Sequence, residues 1–261
     1  MHDLLLVDTH VHLNSPEFVT DLDAVVERSQ AAGVRQWLIP GYDRASSGQA
    51  VEMAGRIEGA LAAVGVHPHD ARLYDDATEV EFSAWLSSGA AVAAGEMGLD
   101  YHYDHSPREV QRAVLQKQLR LAARHGVPAV LHNRNSDEDA AAILRDEAQD
   151  TRIVLHAFTG APRLLEVGCD LGLFFGIGGF LTFKKHPLSA CIADLPRQSL
   201  LLETDAPWLS PHPYRGKRNE PARVATIAEK LAELLDLSVR EVAHLTSANY
   251  QRFLTGQGSV A

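Results

Sequence analysis

The sequence predicts a (β/α)₈ barrel, read as one domain over residues 1–261. Three observations point there. Eight short β-rich runs alternate with longer amphipathic runs. The length of 261 residues is close to the ~250 typical of such barrels. Several of the apolar runs end in a residue type able to hold a metal ion: histidine, glutamate or aspartate.

The elements follow in order. Leu4 to Thr9 reads as a strand, and Asp21 to Ala32 as a helix with Asp21 as its cap and Gly33 as its stop. Val34 to Ile39 is the second strand, closed by Pro40-Gly41, and a helix follows from Ala45 to Ile57. Ala60 to Val66 is the third, running into His67-Pro68-His69; a helix from Thr78 to Leu86 is capped by Thr78. Ala90 to Gly95 is a short fourth strand ending at Glu96, and a loop through Gly98-Leu99-Asp100-Tyr101 leads to a long helix from Pro107 to Gly126. Pro128 to Leu131 ends at His132, and Arg152 to Leu155 ends at His156, with a helix from Asp137 to Glu147 between them. A helix from Pro162 to Val167, stopped by Gly168, precedes the seventh strand, Leu173 to Ile177. A helix from Leu188 to Asp194 precedes the eighth, Ser199 to Leu202, which ends at Glu203-Thr204-Asp205. Pro221 opens a helix to Leu235, and Ser238 caps the last. The competing architecture is an open doubly wound sheet, but no glycine-rich phosphate loop follows the first strand.

Composition narrows the class. A hydrophobic fraction of 46% and a charged fraction of 22% describe a soluble globular chain. The two cysteines, Cys169 and Cys191, form no C-x-x-C pair, so the expectation is a cytoplasmic chain with reduced thiols. Neither a signal peptide nor a membrane partner is expected, and the chain is expected to act as a monomer. The net charge of −10 argues against a general nucleic-acid coating protein. It leaves room for an enzyme that meets phosphate through metal ions and a local basic cluster.

In a barrel of this kind the C-terminal strand ends share one mouth. That brings His10, His12, His67, Glu96, His132, His156 and Asp205 together. Alternation in an extended chain places Asp8, His10 and His12 on one face. A lone His-x-His is as often an ordinary loop pair as a ligand pair; what favours ligands is that other strands end alike. The imidazoles and two carboxylates exceed what one metal needs and suit two metals with a shared carboxylate. Nitrogen and oxygen donors without thiolate point to zinc, manganese or magnesium. Glu203 shares a face with Asp205 and reads as an acid that orients a ligand imidazole or the attacking water, against a buried acid paired with a Lys or Arg. His67 reads as a substrate contact, against a plain loop start. Arg134, two residues after His132, either binds a phosphate or only pairs with Asp100. Arg215, Lys217 and Arg218 form the densest basic cluster, read as an anion site against a solvated charge run, and Trp208 and Tyr214 in the same loop are suited to stack on a nucleobase.

Six motifs in order carry a resemblance: Asp8-Thr9-His10-Val11-His12-Leu13, Gly65-Val66-His67-Pro68-His69, Gly95-Glu96-Met97-Gly98-Leu99-Asp100-Tyr101, His156-Ala157-Phe158-Thr159-Gly160, Leu202-Glu203-Thr204-Asp205-Ala206-Pro207 and Arg215-Gly216-Lys217-Arg218-Asn219-Glu220-Pro221. From Asp8 to Pro221 the chain resembles the TatD-type metal-dependent deoxyribonucleases of the amidohydrolase superfamily. It departs mildly, with Asn133, Ala157 and Met97 where serine, cysteine and isoleucine are usual. The resemblance implies two divalent ions, one on His10, His12 and Asp205, the other on His132 and His156, with Glu96 bridging. It further implies action at a DNA end, 3′ to 5′. The expected mechanism is phosphodiester hydrolysis in which Asp205, Glu203 and Glu96 serve the chemistry and His67, Arg134, Arg215, Lys217 and Arg218 meet the substrate. The alternative is a small-molecule amide, lactone or phosphotriester hydrolase on the same barrel. Many such relatives bridge their metals with a modified lysine after strand four, and no lysine lies between Ala90 and His102. A non-enzymatic barrel that keeps metals only for structure is disfavoured by the complete donor set together with Glu203.

Overall fold

A computed structural model describes residues 5–148 and 151–256. Eight parallel strands run in chain order around one sheet: β1 (Leu6–Asp8), β2 (Val34–Pro40), β3 (Ala60–Val64), β4 (Ala93–Asp100), β5 (Ala129–Arg134), β6 (Ile153–Leu155), β7 (Phe174–Ile177) and β8 (Leu200–Leu202). The last strand meets the first through the Thr9 amide, which donates to the Leu202 carbonyl at 2.9 Å. The Asp205 amide donates to the His10 carbonyl at 2.9 Å and the His12 amide to the Ala206 carbonyl at 2.8 Å. The ring is thus closed into the predicted (β/α)₈ barrel.

Helices α1 (Leu22–Ala31), α2 (Arg44–Arg56), α3 (Asp76–Ser88), α4 (Arg108–His125), α5 (Asp137–Glu147), α6 (Pro162–Asp170), α7 (Pro187–Cys191) and α8 (Val224–Leu235) follow the strands, and α9 (Val239–Thr255) comes last. One side chain from each strand fills the barrel interior: Val7, Leu38, Ala63, Ala93, Val130, Val154, Phe174 and Leu201. Tyr250 and Phe253 of α9 pack against that layer and plug the N-terminal end of the barrel. Residues one position away, such as Leu131, Leu155 and Leu202, face the helices instead, as the two-residue period of a strand requires. Each fully buried Leu, Val or Phe contributes about 1.5–3 kcal/mol relative to exposure. No helix among the described residues is long and apolar enough to cross a membrane.

Four local expectations change. Leu4, the expected start of the first strand, lies outside the described residues, and regular pairing begins at Leu6. The fourth strand does not stop at Gly95: after a register shift it pairs Met97–Asp100 with Leu131–Arg134. Gly98 and Asp100 are poor strand formers, which hides this half of the strand from propensity. Asp75, not Thr78, caps α3, accepting the Thr78 amide at 2.8 Å. Gly168 lies inside α6 rather than ending it; the glycine is needed for packing, since a β-carbon there would come within 2.6 Å of the Phe175 ring.

Candidate metal centre

Strand alternation carries the interior upward to the mouth. Two residues beyond Val130, Val154 and Leu201 come His132, His156 and Glu203, so these three side chains continue the interior face. Two residues beyond Phe174 comes Gly176. A β-carbon on it would sit 2.2 Å from Glu203 Oε2; the missing side chain is the space that Glu203 occupies. His10 and His12 lie just past β1, with the His10 ring stacked on that of His156 at 3.6 Å between centroids. Glu96 sits at the register shift of β4, 3% exposed.

The first donor set is compact. His10 Nε2 and His12 Nε2 are 3.0 Å apart. Glu96 Oε2 is 3.4 Å from the first and 3.6 Å from the second. Asp205 Oδ1 is 3.8 Å and 3.6 Å from the same two nitrogens. A tetrahedral ion with bonds of ~2.0–2.1 Å has its ligands ~3.3–3.4 Å apart, so these separations fit a divalent cation. The other Glu96 oxygen faces a second set: Oε1 is 3.0 Å from His132 Nδ1, 3.6 Å from His156 Nε2 and 3.7 Å from His67 Nε2.

What lies behind each imidazole decides what it offers in front. Glu203 Oε1 accepts from His156 Nδ1 at 3.0 Å and from the Ala157 amide at 2.6 Å. When the ring is neutral with its proton on Nδ1, His156 has a lone pair on Nε2, the atom facing Glu96. His132 turns Nδ1 toward Glu96, and Asp100 Oδ2 lies 3.4 Å from its Nε2 on the other side of the ring. His67 is the opposite case. Its Nδ1 accepts the His69 amide at 3.2 Å, so the neutral ring carries its proton on Nε2 and presents a hydrogen-bond donor, not a lone pair. Burial, with the neighbouring His132, holds His67 well below the usual histidine range and keeps it neutral.

The electrostatics follow the same partition. Burial disfavours the His156 imidazolium, but Glu203 and Glu96 outweigh it and push the group up to about 10. His10 is lowered by burial and by His156. Burial raises Glu96, yet His10 and His156 more than reverse this, so it stays well below the usual carboxylate range. Asp205 is likewise raised by burial and brought down, on balance, by His12, His156 and His10. The cluster is therefore a set of ionised carboxylates whose charge invites a cation.

The site residues named from sequence separate into two groups. His10, His12, Glu96, His132, His156 and Asp205 converge, and Glu203 sits directly behind His156 without a Lys or Arg against it among the described residues. His67, Arg134 and Arg215 stand with His12, Glu96, His132, His156 and Asp205 on the wall of a cavity of about 930 Å³, together with Trp208, Tyr42 and Tyr103. Arg134 does not pair with Asp100; its guanidinium lies 4.7 Å from the centre of the Tyr103 ring. Arg215 lies 3.9 Å over Phe183.

Lys217 and Arg218 are not on that wall. Lys217 is exposed. Arg218 reaches backwards to α1, where Asp21 accepts from both terminal nitrogens at 2.9 and 2.7 Å. The basic loop is therefore split between cavity and scaffold, with Arg218, expected at an anion, held by Asp21 instead. Asp21 was expected to cap α1 with its side chain; it makes no such bond and holds Arg218 instead. Asp8 also departs from expectation. The strand ends there, alternation lapses, and its carboxylate accepts from the Thr204 amide at 2.9 Å and the Thr204 hydroxyl at 2.5 Å. Asp8 serves the β1–β8 seam, and burial holds its carboxyl well above the usual range.

Sequence reasoning missed Asp100 and His69. Asp100 is 1% exposed and accepts from His69 Nε2 at 2.9 Å and from the amides of His102 and Tyr103 at 2.9 and 3.0 Å. Its one signal was its place four residues after Glu96, in a stretch that reads as loop.

Comparison with known proteins agrees with this geometry. A family model described as TatD related DNase matches residues 7–255. The uncharacterized metal-dependent hydrolase YabD of Bacillus subtilis (strain 168) is 40% identical over 255 residues, covering 95% of this chain and 98% of the relative. The 3′-5′ ssDNA/RNA exonuclease TatD of Edwardsiella piscicida is 35% identical over 252 residues, covering 94% and 97%. The crystal structure of YJJV, a TatD homolog from Escherichia coli K12, superposes with a TM-score of 0.89 at 31% identity, covering 95% of this chain and 97% of that one. With a closed eight-stranded barrel, a buried His/Glu/Asp cluster at its mouth and matches that run nearly end to end, the chain belongs to the TatD-related DNase family.

Proposed function

We propose that this protein is a two-metal deoxyribonuclease that hydrolyses phosphodiesters at a DNA end, in the 3′ to 5′ direction. The observation that carries the reading is the division of Glu96. Oε2 faces His10 and His12, while Oε1 faces His132 and His156. One carboxylate with two occupied faces suits two ions better than one. The donor atoms are compatible with zinc, manganese or magnesium. The exonuclease name of the Edwardsiella relative supports the direction and the nucleic-acid substrate.

Divalent ions held here supply Lewis-acid stabilisation of the phosphoryl oxygens and lower the pKa of water. The rest falls to side chains. Asp205 is more open than Glu96 or Glu203, its side chain 13% exposed against 4% and 1%. It is the one that meets the attacking water and holds its proton. The Nε2–H of His67 donates to a phosphoryl oxygen. Arg134 and Arg215, on the cavity wall, hold the neighbouring phosphates. Glu203 and Asp100 keep His156 and His132 in the tautomers that face inward.

The test is digestion of end-labelled single- and double-stranded DNA, and of RNA, by the chelated protein and by protein reloaded with each metal. The expected result is shortening from the 3′ end that needs metal, with circular dichroism unchanged by chelation. Cleavage by fully metal-free protein would sink the mechanism. Turnover confined to small amides, lactones or phosphotriesters would move the assignment to the alternative class.

A further inference from the structure

Tyr103 is half exposed, lines the cavity, and takes no part in the chemistry above. Its surroundings are built. The guanidinium of Arg134 covers the ring at 4.7 Å from its centre. The His105 ring lies nearly parallel to it, 5.6 Å away at 6°. His69 and His102 meet it edge-on, at 5.4 and 4.7 Å. The turn that carries it is fixed by the Tyr103 amide donating to Asp100 Oδ1, while the other oxygen of Asp100 lies 3.4 Å from His132 Nε2. The ring is therefore indexed to the metal centre through a single buried carboxylate.

Across the mouth stands a second ring. Trp208 is also half exposed, lines the same cavity and meets His12 edge-on at 4.9 Å. Tyr103 follows β4 and Trp208 follows β8. In a closed barrel of eight strands in chain order these two strands are diametrically opposed, with the donor cluster between them.

We infer that Tyr103 is a stacking platform for the nucleobase on one side of the scissile phosphate, with Trp208 receiving the base on the other side. The inference rests on the nuclease reading and goes beyond it, because it assigns two bases to two walls. Two successive bases held on opposite walls cannot remain stacked on each other or paired in a duplex. The cavity thus takes an unpaired dinucleotide step, splayed at the phosphate to be cut. Arg134, already against Tyr103, is placed to meet the phosphate next to that base.

Abasic replacement tests this. Single-stranded oligonucleotides with one abasic residue, moved stepwise from the cleaved bond, are compared with the intact strand. Each is assayed with wild type, Tyr103→Ala, Tyr103→Phe and Trp208→Ala, measuring affinity by anisotropy and cleavage in single turnover. Removing a stacked ring weakens binding of the intact strand about tenfold. For Tyr103→Ala that loss disappears when one particular residue beside the cleaved bond is abasic; for Trp208→Ala it disappears at the residue on the other side. Tyr103→Phe keeps the π-face and stays near wild type. A loss that is the same at every abasic position, or both variants answering to one position, would overturn the assignment. If wild type binds with the position-specific pattern but cleaves nothing, the nuclease reading falls and the platform stands. If wild type cleaves and the pattern is flat, the platform alone falls.

Discussion

Glu203 holds His156 from behind, with Oε1 3.0 Å from the imidazole Nδ1, while Gly176 leaves the space the carboxylate needs. This pair sets which nitrogen of His156 faces the centre. Glu203→Gln is expected to weaken divalent-metal binding about 10- to 100-fold, the usual effect of losing an acid behind a ligand imidazole, with the barrel intact. Metal titration against a competing chelator, with circular dichroism alongside, checks it. Unchanged affinity would show that Glu203 only fills space.

Loading metal should expel a proton. In the metal-free protein His156 is held up to about 10, so it is an imidazolium at neutral pH, and ligation needs it neutral. Calorimetry in buffers of different ionisation heat should show proton release at neutral pH that fades toward pH 10. The same shift fixes a stability trend. A folded value above the unfolded ~6.5 stabilises the metal-free protein fully below ~6.5, and that gain is lost as pH rises through about 10. Denaturant midpoints of metal-free protein that rise over this interval would contradict the shift.

Asp205→Asn should cost at least about a hundredfold in saturated turnover while the chain folds and still binds oligonucleotides. The amide keeps the shape but cannot take a proton from water. Single-turnover cleavage at saturating enzyme separates this from weakened binding. A variant with near-native turnover would remove Asp205 from the proton-transfer role.

Two arginines from basic or cavity-facing stretches should behave differently. Arg134→Ala is expected to lower the salt dependence of single-strand binding by roughly 0.7 in log–log slope, the share of one phosphate contact. Arg218→Ala should leave that slope alone and lower the Tm modestly, because its guanidinium ties the β8–α8 loop to Asp21 and the Glu17 carbonyl. Affinity at several salt concentrations and a thermal melt of each variant decide the matter; a reduced slope for Arg218→Ala would return that residue to the substrate.

Much of this centre was legible because alternation is strict inside a regular strand. Val130 to His132, Val154 to His156 and Leu201 to Glu203 are each one step of a two-residue period, so residues read simply as following the apolar runs do continue the interior face. Where regular pairing stops, counting fails. Asp8 ends β1 and turns to Thr204, and Asp100 lies beyond a register shift in a stretch that reads as loop. The Asp21 partner of Arg218 was hidden for another reason: composition shows a basic cluster but not which guanidinium already has a carboxylate nearly 200 residues away. The tautomer of His67 was out of reach altogether, since it depends on a backbone amide two residues on.

The seam between β1 and β8 has a bearing on how the chain comes of age. His10 and His12 follow the first strand and Asp205 the eighth, and the Asp205 amide reaches the His10 carbonyl only when the barrel shuts. Until the eighth strand docks, the first donor set lacks its second acid. A chain in which this seam has not formed therefore lacks the complete donor set, so closure of the barrel and assembly of the candidate metal centre are one event.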